Sequence, residues 1–192
     1  KTVSADFCHL IKNRQSRRDF SRQPITKDEL SYLLEYSCGD TGELKGRHRR
    51  AAPSGGARFP IEVYPLVLHS SNDLESGLYH YNADAHQLDV VWKREFSNED
   101  IASLFTYKWV QDAALVLIMT AVFWRTQNKY GERGYRYILL EAGHIGQNIY
   151  LASEALTLKC CALAGTKDEQ VEKLLDIDGT TESLIYAITV GK

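Results

Sequence analysis

The sequence predicts an α+β fold. Three observations carry that reading. Two short alternating runs, Gly77 to Tyr81 and Gln87 to Trp92, flank the turn sequence NADAH and read as a β-hairpin. Ala114 to Val122 is almost wholly apolar, the pattern of a strand buried on both faces. Gly134 to Thr157 carries Ile138, Ala142, Ile145, Ile149, Ala152 and Leu156 at three- and four-residue steps, which makes a long helix. Hairpins mixed with helices, without regular βαβ alternation, define the class.

The elements follow in order. Ser4 is placed to cap a first helix with Phe7, Leu10 and Ile11 on one face, ending near Asn13. Thr26 and Glu29 form a capping box for a second helix with Leu30, Leu33 and Leu34, stopping near Gly39. Asp40 to Arg58, with Gly42, Gly46, Pro53, Gly55 and Gly56, reads as a loop. Ile61 to His69 is a strand. Ser97 and Asp100 start a helix through Ile101, Leu104 and Phe105. After the long helix, whose small Ala142, Gly143 and Gly146 admit a close backbone neighbour, Lys159 to Ala164 is a short strand. Thr166 and Glu169 form a capping box for a helix with Val171, Leu174 and Leu175, and Leu184 to Val190 is a last strand. No repeat or low-complexity linker divides the chain, so residues 1–192 are expected to form one domain.

Composition narrows the function classes. The 23 basic against 25 acidic residues leave a net charge of −2, which gives no whole-protein attraction to nucleic acid or anionic membrane. The longest apolar run, Ala113 to Phe123, is too short to span a bilayer. No signal peptide is expected, and Lys1 at the start fits a piece of a longer chain. Cys8, Cys38, Cys160 and Cys161 show no CxxC or Cys/His spacing and are expected to be buried thiols of a cytoplasmic protein. The histidines are scattered without a helical HxxxH pair, so no metal site is expected. His144 reads as a hydrogen-bonded core or interface residue.

Three segments carry candidate chemistry, each beside a plainer reading. In RQSRRDF, Arg14, Ser16 and Arg18 alternate, and an extended chain would turn two guanidiniums and a hydroxyl to one anion; the same stretch also reads as a solvated basic loop. In RRAAPSGGARFPIEVY, Pro53, Ser54, Gly55 and Gly56 offer bare backbone N–H groups to a flat or anionic ligand, or form a turn feeding the next strand. WRTQNKYGERGYRY joins the most apolar strand to the longest helix. There Lys129, with a pKa lowered by Arg125 and Arg133, is a candidate base, and Tyr130 a proton donor or acceptor beside it. The segment also reads as a basic, aromatic platform for single-stranded nucleic acid, which the net charge opposes, or as a solvated helix start with tyrosines on the core.

Together these segments resemble one family. RQSRRDF resembles the R-x-S-x-R start of nitroreductase-like flavoproteins. RRAAPSGGARFPIEVY, GLYHYNADAHQL, KYGERGYRYILLEAGHIGQNIYLASEAL and AGTKDEQVEKLLDIDGTTESLIYAITVGK resemble the SagB-type dehydrogenase branch, which includes azoline oxidases. The resemblance runs from about Arg14 to Lys192. It implies an α+β nitroreductase-like fold, a central, mainly antiparallel sheet flanked by helices, with FMN at a homodimer interface. By the same resemblance Arg14, Ser16 and Arg18 would hold the FMN phosphate and ribityl chain. Pro53, Ser54, Gly55 and Gly56 would reach that flavin from the partner subunit. Ala164 and Gly165 would lie near its ring, and Lys192 near its phosphate. Gly55-Gly56-Ala57-Arg58 departs from classical nitroreductases, which tend to carry Asn and aromatic residues after Pro-Ser, and so favours the SagB branch.

The implied reaction is two-electron dehydrogenation of a thiazoline or oxazoline ring, in a peptide or on a carrier, with Lys129 and Tyr130 as the catalytic pair and dioxygen reoxidising the flavin. A cyclodehydratase partner fits that chemistry; nucleic acid and membrane do not. Two alternatives stand beside it: an NAD(P)H-dependent nitro- or quinone reductase on the same fold, and a non-catalytic flavin-binding subunit.

Overall fold

The computed structural model describes residues 5–192. Its centre is a six-stranded sheet in the order β5-β4-β3-β6-β8-β7, every neighbouring pair antiparallel. The strands are β3 (Ile61–Val67), β4 (Gly77–Asn82), β5 (Gln87–Lys93), β6 (Leu115–Val122), β7 (Lys159–Leu163) and β8 (Glu182–Gly191). Two further strands, β1 (Asp40–Leu44) and β2 (Arg47–Arg50), pair as a separate hairpin. The helices are α1 (Phe7–Asn13), α2 (Lys27–Cys38), α3 (Asn98–Leu104), α4 (Trp124–Tyr130), α5 (Arg133–Ala155) and α6 (Asp168–Leu175).

Strand β6 shows why the sheet is buried on both faces. Side chains alternate along a strand. Leu115, Leu117, Met119 and Ala121 join the core under α2 and α5, while Val116 and Ile118 join a second core under α3 and α6. The apolar run therefore needs no polar face. Helix α5 turns Ile138, Ala142, Ile145, Ile149 and Ala152 to the first core, as the spacing predicts.

Capping boxes fix two helix starts. Thr26 Oγ1 accepts from Glu29 N–H at 3.1 Å and the Glu29 carboxylate accepts from Thr26 N–H at 2.7 Å. Ser97 and Asp100 do the same for α3. Replacing such a cap costs about 1 kcal/mol. Thr26→Ala is therefore expected to lower the unfolding free energy by that amount, read as a lower urea midpoint at unchanged slope; an unchanged midpoint would show the cap contributes nothing.

Several expectations are corrected. Asp40 to Arg58 is not all loop: β1 and β2 form a hairpin around Gly46, whose mostly solvent-exposed strands lack the alternation that marks a half-buried strand. Trp124–Tyr130 is a helix of its own, closed by Gly131 at φ 55°. No capping box opens α6, because Thr166 Oγ1 donates to Asp168 and Lys167 takes the cap position. Asp6 caps α1, and the expected Ser4 cap lies outside the described residues. Gly146 faces the Tyr186 ring rather than a backbone, and Gly143 faces open space. Cys8 is exposed rather than buried, and His144 lies outside the core, on an exposed part of α5; Cys38 and Cys160 are buried thiols that burial pushes up to about 12. Among the described residues, no helix is long and apolar enough to cross a membrane.

Candidate active site

The Pro-Ser-Gly-Gly segment is a strained turn between β2 and β3. Ala57 N–H donates to the Ser54 carbonyl at 3.1 Å, and Phe59 N–H donates to Ser54 Oγ at 2.9 Å. Gly56, Ala57 and Phe59 hold φ of 67°, 54° and 46°. Left-handed backbone at non-glycine residues costs about 1–3 kcal/mol each and clusters at functional sites.

The turn sits against the Lys-Tyr pair of its own chain. A Cβ on Gly56 would fall on the Tyr130 hydroxyl and 2.8 Å from Lys129 Nζ. The ammonium and the phenol therefore converge on one point beside bare backbone. Lys129 Nζ also lies 5.2 Å from the centre of the Tyr130 ring, a cation–π contact. Tyr130 packs edge-on to Tyr137, with ring centroids 5.0 Å apart, and Tyr137 covers Gly55, where a Cβ would meet it at 3.3 Å. Arg125, expected beside Lys129, instead pairs with Glu62 and donates to the Phe59 carbonyl.

Two α5 residues anchor this turn, and sequence reasoning missed both. Asn148 donates to the carbonyls of Ser37 and Ala51 at 3.1 and 3.4 Å, tying α5 to α2 and to the approach to the turn. Glu141 is only 5% exposed, with Ser54 close enough to act on its carboxyl. The signal was present: an acid and an amide stand within or beside the apolar register Ile138, Ala142, Ile145, Ile149.

The basic segment lies elsewhere. Ser16 Oγ and the Tyr150 hydroxyl share a 2.8 Å hydrogen bond, and the Arg14 guanidinium lies 5.3 Å from the Tyr150 ring centre. Arg17 turns the other way, its N–H on the Cys160 carbonyl and its guanidinium 3.5 Å from Glu154. Arg14 and Arg18 have no carboxylate within ion-pair distance among the described residues. The Arg14 guanidinium and the Ser16 hydroxyl, brought together at Tyr150, form a donor pair that fits a phosphate. Tyr137 and Tyr150 are thirteen residues apart on α5, about 20 Å at the helical rise. One chain thus holds its basic segment and its glycine turn at opposite ends of its longest helix.

The remaining expected residues are placed as follows. Ala164 is exposed just after β7. Gly165 has a packing reason for its size, since a Cβ there would meet the Tyr107 ring at 2.7 Å. Lys192 lies beside the basic segment, its carbonyl accepting from Ser21 N–H at 2.9 Å, but its ammonium is held by Glu29 at 3.3 Å.

Comparison with known proteins places the chain. The model of the Nitroreductase family matches residues 11–192. The chain belongs to the nitroreductase family. This family member is 33% identical over 168 residues to MJ1384 of Methanocaldococcus jannaschii, which bears a nitroreductase name; the match covers 88% of this chain and 82% of that one. It is 34% identical over 186 residues to the trifolitoxin-processing protein TfxB of Rhizobium leguminosarum bv. trifolii, covering 88% of this chain but 48% of TfxB. The chain therefore spans about half the length of that relative. Among solved structures, it superposes on a chain of the E. coli microcin synthetase McbBCD complex with truncated pro-MccB17 bound, at TM-score 0.77 and 24% identity, covering 100% of this chain and 74% of that one. A structure from Desulfovibrio desulfuricans in complex with FMN shares the fold at TM-score 0.65 and 19% identity, covering 98% of this chain and 87% of that one. The fold is thus the nitroreductase fold that the sequence resembles.

Glu141 gives this nitroreductase-family site a pH signature. Burial pushes its carboxyl up to about 7, against the nearby Ser54 hydroxyl and the charge of Arg50, which both act downward. The unfolded chain releases the same proton near 4.5. Between those values the folded state holds a proton the unfolded state has lost, so stability falls as pH rises through the window. Tm is expected to climb more steeply in the native protein than in Glu141→Gln between about pH 8 and about pH 5. Equal slopes in the two proteins would remove Glu141 from this role.

Proposed function

We propose that this protein is an FMN-dependent oxidoreductase that dehydrogenates azoline rings in a peptide or carrier-bound substrate. The observation that carries the reading is the convergence of Lys129 Nζ and the Tyr130 hydroxyl on Gly56. It supports proton removal beside a flat ring laid on bare backbone. The likeness to TfxB, a trifolitoxin-processing protein, supports a peptide substrate. The 31% identity to McbC, a microcin B17-processing protein of Escherichia coli, also supports a peptide substrate, and the resemblance adds a cyclodehydratase as the partner that would supply the ring.

The assigned groups fit the cofactor. Arg14, Ser16 and Arg18 would hold its phosphate and ribityl chain. Pro53, Ser54, Gly55 and Gly56 would lie against its ring, with Ala164 and Gly165 nearby. Lys192 would approach the phosphate by exchanging the Glu29 carboxylate, 3.3 Å from its ammonium, for that anion. When bound, FMN supplies a two-electron acceptor that takes the hydride and passes the electron pair to dioxygen. Once its ammonium has released a proton to solvent, the neutral Lys129 amine accepts the ring proton at Nζ. Tyr130, packed on Tyr137, holds a hydroxyl beside that amine and orients it.

Helix α5 holds the two segments apart within one chain, which favours a homodimer, each site joining one subunit's Arg14 and Ser16 to its partner's glycine turn. Exposed Leu139 and Leu140 on α5, at 43% and 54%, support a face for such pairing. A variant lacking Arg14 and Arg18, mixed with Lys129→Ala, is expected to recover about a quarter of native turnover, because statistical mixing leaves half the dimers with one intact site. No recovery after subunit exchange would refute the shared site.

The substrate test is direct. A thiazoline peptide, dioxygen and the FMN-loaded protein should give a product lighter by two hydrogens per ring. The nitroreductase name of MJ1384 favours a second reading, NAD(P)H-dependent reduction of nitro or quinone compounds. Rapid bleaching by NAD(P)H with no azoline turnover would establish that reading instead.

A further inference from the structure

A cleft leads away from Lys129. Its near part, about 410 Å³, lies between Lys129, Gly56, Phe59, Arg50 and Asp84. The far part, about 370 Å³, shares Arg50, Phe59 and Asp84 and continues over Arg58, Arg125 and Glu62. Each part is the size of a small-ligand pocket.

Its charges are unequal. Arg50, Arg58, Arg125 and Lys129 face only Glu62 and Asp84. Glu62 is spent within the floor, paired with Arg125 and hydrogen-bonded to His80 at 2.7 Å. Arg58 is held in place by neutral oxygens alone, the Arg125 carbonyl at 2.7 Å and Asn128 Oδ1 at 3.0 Å, and has no carboxylate within ion-pair distance among the described residues. Arg50 is pinned over the Phe59 ring at 4.7 Å, and its carboxylate partner, Asp84 at 3.2 Å, has a side chain 70% exposed. An ion pair so exposed is worth about 0–1 kcal/mol and is readily exchanged for another carboxylate.

We infer that this cleft is a substrate subsite in which Arg58 and Arg50 grip a carboxylate carried by the peptide close to the reacting ring. The inference rests on the reading of Lys129 as the group that meets the ring. A carboxylate fits better than a phosphate dianion, because Asp84 and Glu62 leave the cleft only modestly positive. The planar guanidinium fork matches a carboxylate in two-point contact. The carboxylate is either an acidic side chain next to the ring or the peptide's own C-terminus.

Fluorescence anisotropy on the FMN-loaded protein separates these cases. The probes are labelled thiazoline peptides identical except for Asp or Asn beside the ring, each with a free or an amidated C-terminus. At least one carboxylate should tighten binding about tenfold, and that gain should shrink as salt is added. The position that gains identifies the source. In Arg58→Met the carboxylate and neutral peptides should bind alike, and Arg50→Met serves as the second variant if the first does not fold. Equal binding of all peptides by the native protein would overturn the inference, as would a carboxylate preference that survives these substitutions. Ring dehydrogenation, read separately by mass, tests the catalytic assignment, so the two failures remain distinguishable.

Discussion

Lys129→Ala is expected to lower azoline turnover by about a hundred- to ten-thousand-fold, the usual loss when a positioned base is removed. FMN should stay bound, because the groups assigned to its phosphate lie near Tyr150, at the other end of α5. Tyr130→Phe removes only the hydroxyl and leaves the ring packed on Tyr137, so it should also lose turnover while keeping cofactor and Tm. Both variants are compared at saturating peptide, with flavin content read by absorbance. Full activity in both would end the assignment of the pair.

Gly56→Ala carries the second large effect. The added Cβ meets the ends of two long side chains, the Tyr130 hydroxyl and Lys129 Nζ, rather than backbone. The fold can give way by moving those ends, and they are the proposed reacting groups. A displacement of about 1 Å costs on the order of a hundredfold in rate. Stability should fall only by the left-handed strain, about 1 kcal/mol. Gly46→Ala is the control. It has a similar φ of 72°, yet its Cβ would meet nothing nearer than Glu43 Oε1 at 3.9 Å. It should share the loss of stability and keep native turnover. Equal turnover in the two variants would show that Gly56 matters only for its backbone conformation.

Much of the fold was legible because burial leaves a period in the sequence. The β6 residues alternate between two cores, and the α5 stripe repeats at helical spacing. The Thr26 and Ser97 boxes were readable because both reciprocal partners stand three residues on. The same rule misled at Thr166, where Asp168 two residues on captures the hydroxyl. The β1–β2 hairpin escaped notice because its largely exposed strands carry glycine, charge and no alternation. Helix α4 was hidden because it buries only Thr126 and so shows no apolar face.

The site was legible in pieces. The basic segment, the glycine turn and the Lys-Tyr pair each stood out, but their separation along α5 did not. Only the tertiary structure puts Gly56 on Lys129 and Arg14 on Tyr150. Glu141 looked like an ordinary helix acid until its Ser54 contact placed it under the turn. The charge relay of Arg125, Glu62 and His80 joins residues from three elements that no local motif connects.

As proposed above, this site oxidises an azoline ring through a bound flavin. The most direct measurement is anaerobic mixing of the FMN-loaded protein with a thiazoline peptide while the visible flavin band is followed. The peptide is expected to bleach the band, admitted dioxygen to restore it, and Lys129→Ala to show no bleaching. A band that the peptide leaves intact but NAD(P)H bleaches would contradict azoline oxidation.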